Sequence, residues 1–148
     1  GIQALARNTN LLLATLTGPT GGPGTKTLLY ENAAFAIAMT VSGHSVMEAS
    51  HSAAGGRVPR HVSGLDAKIC GEVAHAVSGM TRAEADELVG RIVPLYEPDL
   101  PTNPVGLPFE QVYDVDNVEP TPEWQGTYDE VRGELLNMGL PLDRLTGY

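Results

Sequence analysis

The chain has 148 residues, 42% hydrophobic and 18% charged, enough for one domain with a core of its own, and its 17 glycines and 11 prolines indicate many turns rather than a fibrous or disordered polymer. The net charge of −9 disfavours a nucleic-acid partner, whose phosphates it would repel. The longest apolar runs, Leu11–Ala14 and Ala33–Met39, fall far short of the ~18 residues of a membrane span and no signal-peptide pattern precedes them, so a cytoplasmic protein without a membrane partner is expected.

Residues 2–6 read as the end of a short helix. Asn10-Leu-Leu-Leu-Ala-Thr-Leu-Thr17, stopped by Gly18-Pro19, reads as a strand buried on both faces, the pattern of parallel sheets covered by helices. Leu28, Leu29, Ala33, Ile37 and Val41 then share one face of a helix that Gly43 ends, and Ser45–Ala49 is a second strand. Strand, helix and strand in that order and length make a right-handed β-α-β unit.

Beyond the loop Ser50–Val62, Ser63-x-x-Asp66 is a capping box for a helix carrying Ile69, Val73, Val77 and Met80, and Thr81-x-x-Glu84 starts another with Ala85, Leu88, Ile92 and Leu95. Pro98, Pro101, Pro104 and Pro108 predict an irregular arm lying on the surface. Thr121 and Pro122 open a last helix with Trp124, Tyr128, Val131, Leu135 and Met138 as its apolar stripe, ended by Gly139 and Pro141. Residues 1–80 carry five Lys/Arg against four Asp/Glu, and 81–148 carry four against fourteen. The chain therefore divides into an α/β part, 1–80, and an acidic, proline-interrupted helical part, 81–148.

Two parallel strands leave a sheet with open edges, and an apolar edge strand is an aggregation template. A homo-oligomer, or membership of a larger α/β domain, is expected.

The loop Gly18-Pro-Thr-Gly-Gly-Pro-Gly-Thr-Lys-Thr27 joins a strand to a helix, where backbone N–H groups can cradle an anion. It is not a nucleotide P-loop, since Thr25 separates Gly24 from Lys26 and two prolines remove donors. Thr17, Gly22, Gly24 and Thr25 are its candidate substrate- or anion-binding residues. His44, His51 and His61 are spaced by seven and ten residues, which matches no zinc signature, so no metal site is expected. His51 lies just past the second strand, where α/β folds place reacting groups, and is the candidate acid/base residue with Glu48 as its orienting partner. His75 belongs on the polar face of its helix. Glu31, among apolar neighbours, is expected to be half-buried and either functional or paired with a helix-terminal donor. The single cysteine, Cys70, makes no intrachain disulfide and reads as a small buried hydrophobe. The acidic residues of 110–134 read as a solvated surface.

Several separated runs resemble a known family. Gly64-Leu-Asp-Ala-Lys-Ile-Cys-Gly-Glu-Val-Ala74, Val93-x-Leu95-Tyr96-Glu97, Phe109-Glu-Gln-Val-Tyr-Asp-Val115, and Pro120-Thr121 through Tyr128-Asp129 to Gly139-Leu140 are similar, in order and spacing, to the C-terminal third of the monomethylamine methyltransferases, the corrinoid-dependent enzymes of methanogens. Gly22-Pro23-x-Thr25 and Leu29-x-Glu31 extend the resemblance to nearly the whole chain from about residue 10. It implies the last two β/α units of a TIM-like (β/α)8 barrel plus a C-terminal helical extension, an incomplete barrel as it stands. It also implies transfer of a methyl group from a small methylated amine to the cobalt of a corrinoid protein, with no cofactor bound directly by this segment. The pyrrolysine of that chemistry belongs to an earlier strand and has no counterpart here, and Leu16 stands where the family places a glutamine. Two other functions stay open from the residues alone: a non-catalytic oligomerisation or assembly module, and a small α/β anion-binding enzyme.

Overall fold

The structure is a computed structural model that describes residues 1–145. Helix α1 (Ile2–Asn8) leads into strand β1 (Ala14–Thr17), helix α2 (Lys26–Val41) and strand β2 (Val46–Ser50). β1 and β2 pair in parallel, Ala14 with Val46 and Thr15 with Met47, after which one extra residue in β2 shifts the register so that Thr17 faces Ser50. The strand-helix-strand unit anticipated from the sequence is present. The bulge turns the end of β2 so that Thr17 and Ser50, the last residue of each strand, are both buried beneath the helices.

The first strand is shorter and more open than its apolar run implies. The strand itself is Ala14–Thr17, with the Leu13 carbonyl accepting the Ser45 and Val46 N–H groups just before it, and Leu11, Leu12, Leu16 and Val46 are 63, 83, 45 and 47% exposed. Helices cover one face of the sheet; the other faces solvent in this chain.

α2 corrects a second expectation. Thr25 caps it, its hydroxyl accepting the Leu28 N–H at 3.3 Å, but the apolar residues form no single stripe: everything from Thr27 to Ala34 is buried, with Ala36 and Ile37. A helix apolar all round must be enclosed. Around it pack the sheet, α4 (Gly64–Ala76), α5 (Arg82–Ile92) and α7 (Pro122–Asn137). Leu28, Leu29, Ile37, Ile69, Val73, Ile92, Val131 and Leu135 are fully buried in one cluster, at roughly 1.5–3 kcal/mol of transfer free energy per large side chain. That cluster draws on residues from both sides of position 80.

Between β2 and α4 lies a single turn, α3 (Ala53–Gly56), in which Ala53, Ala54, Gly55 and Gly56 all have positive φ, so it winds left-handed. α4 ends at Ala76, and Gly79 at φ +82° turns the chain, leaving Met80 in the connection rather than on the helix. The proline-rich arm is more regular than expected: Val93–Leu95 and Glu97–Thr102 are 3-10 turns with proline in their first positions, where its fixed φ suits the turn and its missing donor is not needed. Next come α6 (Phe109–Val112) and a small antiparallel hairpin, β3 (Tyr113–Asp114) with β4 (Glu119–Pro120). The Asp114 carboxylate closes that hairpin by accepting the N–H groups of Asp116 and Asn117.

The acidic surface of 110–134 is partly engaged. Glu134 accepts the Tyr30 hydroxyl and pairs with Lys26, as does Glu130, which ties α7 to α2. Arg132 joins α7 to α4 through Glu72 at 3.1 Å. Cys70 is buried as anticipated, and burial pushes its thiol up to about 12. Among the described residues no helix is long and apolar enough to cross a membrane.

Candidate functional site

Parallel pairing puts the loops that follow β1 and β2 at the same end of the sheet, and they bind each other. Ala53, Ala54 and Gly55 donate their N–H groups to the carbonyls of Gly21, Thr20 and Pro19 at 2.8, 2.9 and 2.9 Å, and the His51 N–H donates to the Thr17 carbonyl at 2.9 Å. The left-handed turn of α3 aims three successive amides at the glycine loop.

That loop already holds an anion, supplied by the chain. Glu31, 5% exposed, accepts the Thr20 N–H on Oε1 at 3.0 Å and the Gly21 N–H on Oε2 at 2.7 Å. The sequence anticipated a paired or functional Glu31; its partners are loop amides, not a helix terminus. Two further donors are also engaged: the Gly22 N–H goes to the Pro104 carbonyl at 2.9 Å and the Thr25 N–H to the Gly22 carbonyl at 3.2 Å. Thr25 Oγ1 donates to the same Gly22 carbonyl at 2.7 Å while capping α2. Gly24 is exposed at φ +87°. Thr17 is fully buried with its hydroxyl beside the Cys70 thiol.

His51 is exposed and lines a cleft of about 270 Å³ with Ser50, Ser52, Arg60 and His61 among others. Its ring lies against Gly56: a Cβ there would stand 3.3 Å from both Cβ and Nδ1 of His51, and Gly56 has φ +80°, so both space and backbone ask for glycine. His61 Nδ1 is 2.9 Å from the Pro59 carbonyl, and Arg60 pairs with Glu110. Glu48 is exposed on β2 outside the cleft, and no hydrogen bond joins it to His51 among the described residues. The cleft thus brings His51 and His61 together without Glu48 or the glycine loop, and the glycine loop meets the loop after β2 through the backbone bonds of residues 53–55. His44 and His75 line a different cleft, and among the described residues no three metal-binding side chains gather.

Sequence reasoning missed what lies beneath these loops. Asp66, fully buried, accepts the Ser52 hydroxyl on Oδ2 at 2.5 Å, the Ser63 N–H on Oδ2 at 2.9 Å and the Ser63 hydroxyl on Oδ1 at 2.5 Å. Trp124 Nε1 donates to Ser63 Oγ at 3.0 Å, and Ser50 Oγ is 2.9 Å from Ser52 Oγ. The capping-box spacing pointed to the Ser63–Asp66 half; nothing local in sequence pointed to Ser52 or Trp124.

Burial raises both Glu31 and Asp66 above their ordinary values of 4.5 and 3.8. A carboxyl with a raised native pKa favours the folded state most below its unfolded value, and that contribution is lost as pH rises through the native one. The Tyr30 hydroxyl, with Lys26, holds Glu134 below 4.5, so its contribution is lost only as pH falls under about 4.5. Thermal melting followed by circular dichroism is therefore expected to rise as pH drops from neutral toward the ordinary carboxylate range and to fall again under about 4. A midpoint that increased steadily to pH 8 would contradict the burial of these two carboxylates.

The same ordered runs and the same fold occur in known proteins. A family model described as Monomethylamine methyltransferase MtmB matches residues 1–140. Monomethylamine methyltransferase MtmB of Methanosarcina mazei is 36% identical over 132 residues, 89% of this chain and 29% of that protein; MtmB2 of Methanosarcina acetivorans is likewise 36% identical over 132 residues. The crystal structure of the Methanosarcina barkeri enzyme (MtmB) superposes with a TM-score of 0.87 at 33% identity, covering 94% of this chain and 30% of that one, and that of the hydroxylamine MtmB complex matches equally well. The chain thus spans about three-tenths of the length of the relatives it matches. With 140 residues matched in order and the fold shared across nearly its whole length, the chain belongs to the monomethylamine methyltransferase MtmB family.

Proposed function

We propose that this chain is the C-terminal portion of a methylamine methyltransferase: the last two β/α units of a (β/α)8 barrel with a helical extension, in an enzyme that moves a methyl group from a small methylated amine to the cobalt of a partner corrinoid protein. The observation that carries the reading is the family match over residues 1–140. The open apolar face bearing Leu16 and Val46 supports it, because the remaining strands of a barrel would cover that face. Without them the exposed leucines drive self-association, and homo-oligomers follow.

In this reading the segment builds one sector of the barrel's C-terminal rim. Thr17 and the Gly22–Thr25 turn shape the wall after β1, with Glu31 fixing the backbone between them at Thr20 and Gly21, and the substrate meets that wall mainly through side-chain and carbonyl contacts because the Thr20, Gly21, Gly22 and Thr25 amides are already engaged. His51 holds or releases a proton at the cleft, and Glu48 acts on it through the field of its charge rather than by contact. The corrinoid is cargo of the partner and makes no demand on these residues as ligands.

The test is methyl transfer by the complete protein, given monomethylamine and the corrinoid protein, with His51→Ala alongside. Turnover in the variant is expected to fall by the ~10²–10⁴-fold of a lost acid/base group with melting unchanged, an exposed imidazole contributing little to stability. Unaltered turnover would remove His51 from the reaction. Failure of the wild type to demethylate any small amine would overturn the functional reading.

A further inference from the structure

The loop that carries the candidate cleft leaves the sheet at Ser52 and rejoins the helices at Ser63, and both ends of it are hydrogen-bonded to one buried carboxylate. Asp66 takes Ser52 from the outgoing strand and Ser63 from the returning chain. Because the Ser52 proton is committed to Asp66, Ser50 is the donor in the Ser50–Ser52 contact. Trp124 donates to Ser63 Oγ from α7, and Asn32 Nδ2 donates to the Asp66 carbonyl at 3.3 Å from α2. The Asp66 carboxylate thus joins the end of β2 to the start of α4, with α7 tied in through Ser63 and α2 through the Asp66 backbone carbonyl.

Stability alone does not call for this design. Burying a carboxylate costs desolvation that well-packed apolar groups of the same volume avoid, whereas three directed hydrogen bonds fix the neck in space. The stretch held by that neck is distinctive: residues 51–61 contain His51, Arg57, Arg60 and His61 and no Asp or Glu, in a chain of net charge −9. Its middle is docked on the glycine loop through Ala53, Ala54 and Gly55, and its far side on the arm, where the Phe109 N–H donates to the Arg60 carbonyl at 2.7 Å. With the neck, middle and far side fixed, the positions of His51 and His61 over the cleft are determined.

The geometry points to Asp66 as the positioning residue of the candidate site: it clasps the neck of loop Ser52–Ser63 and so holds His51 in place, acting through the loop and touching no substrate. Its kinetic consequence rests on the proposed methyl transfer; its structural consequence does not.

Ser52→Ala and Asp66→Asn, made in the complete protein, separate the two. Ser52→Ala removes only the outgoing half of the clasp and leaves both Ser63 bonds, so folding is retained; Asp66→Asn keeps the shape and removes the charge. Both are expected to speed amide hydrogen exchange at Ala53, Ala54 and Gly55 by about tenfold or more while Ile37 of α2 and Val73 of α4 exchange as before, the signature of local opening. Turnover is expected to drop about tenfold with KM changed less than about threefold, since misplacing a group costs rate more than binding, and Ser52→Thr, which restores the hydroxyl, recovers it. Unchanged exchange at 53–55 overturns the clasp. So does exchange rising equally in α2, which would make Asp66 a residue of the global fold. Faster exchange with unaltered turnover overturns the positioning role. If the wild type transfers no methyl group, the functional reading fails while the exchange measurements still decide whether Asp66 holds the loop.

Discussion

Glu31→Ala is expected to destabilise the fold by roughly 2–5 kcal/mol. The Thr20 and Gly21 N–H groups lose the Glu31 oxygens that accept them, and an unpaired buried donor costs about 1–3 kcal/mol; relief of the buried charge offsets part of this. Glu31→Gln keeps the volume but offers one oxygen to two donors and turns an N–H2 toward the other, so it is expected to recover less than half of the loss. Because Ala54 and Gly55 bond the carbonyls of Thr20 and Pro19, the damage spreads from the β1 loop to α3 and to His51. Urea unfolding with the variants side by side measures the first effect, and the His51 ring resonances the second. A Glu31→Gln protein as stable as the wild type would show that the two amides find other partners.

Gly22→Ala is expected to be at least as severe. A Cβ at Gly22 would stand 1.8 Å from the Val105 carbonyl oxygen and 2.4 Å from its carbon, and those are backbone atoms that no rotamer change can clear. The site is crowded from the other side as well, since a Cβ at Gly106 would be 2.2 Å from the Pro23 carbonyl oxygen. Two backbones cross here at glycine, stitched by Gly22 N–H to Pro104 at 2.9 Å and Leu107 N–H to Pro23 at 2.8 Å. Any side chain must lift the arm off the rim, with loss of both bonds and the apolar contacts around them, about 3 kcal/mol or more. The contrast is Gly126→Ala in α7, where nothing lies within 4 Å of the new Cβ. Proteolysis of the arm at 101–108 should accelerate in the Gly22 variant alone; equal resistance in both would mean that the crossing is looser than described.

These two positions also show how far the sequence could be read. The Gly22 loop was recognisable as a special turn after a strand, and Glu31 as an acid misplaced among apolar neighbours. What each one contacts was not recognisable, because Val105 and Pro104 lie more than eighty residues along the chain, and no local pattern encodes that separation. An anion cradle was the natural reading of the loop. Its anion turned out to be Glu31, eleven residues on, brought underneath by the fold of α2.

The sequence by itself determined the two parallel strands, the long helices and their order, but not α3, α6, the 3-10 turns of the arm or the β3–β4 hairpin. Local rules suffice for that: Ser63, Thr81 and Thr121 mark helix starts because their side chains meet unpaired N–H groups there, glycine at 43 and 139 ends helices at positive φ, and strand-helix-strand spacing leaves parallel pairing as the outcome. Only the tertiary structure decided which faces are covered. A run such as Leu11–Thr17 is equally apolar whether enclosed or open, and the exposure of Leu16 and Val46 depends on what else packs there. The enclosure of α2 and the meeting of Ser52, Ser63 and Trp124 around Asp66 are likewise set by long-range packing, in which a buried polar group takes whichever partner the fold brings within about 3 Å.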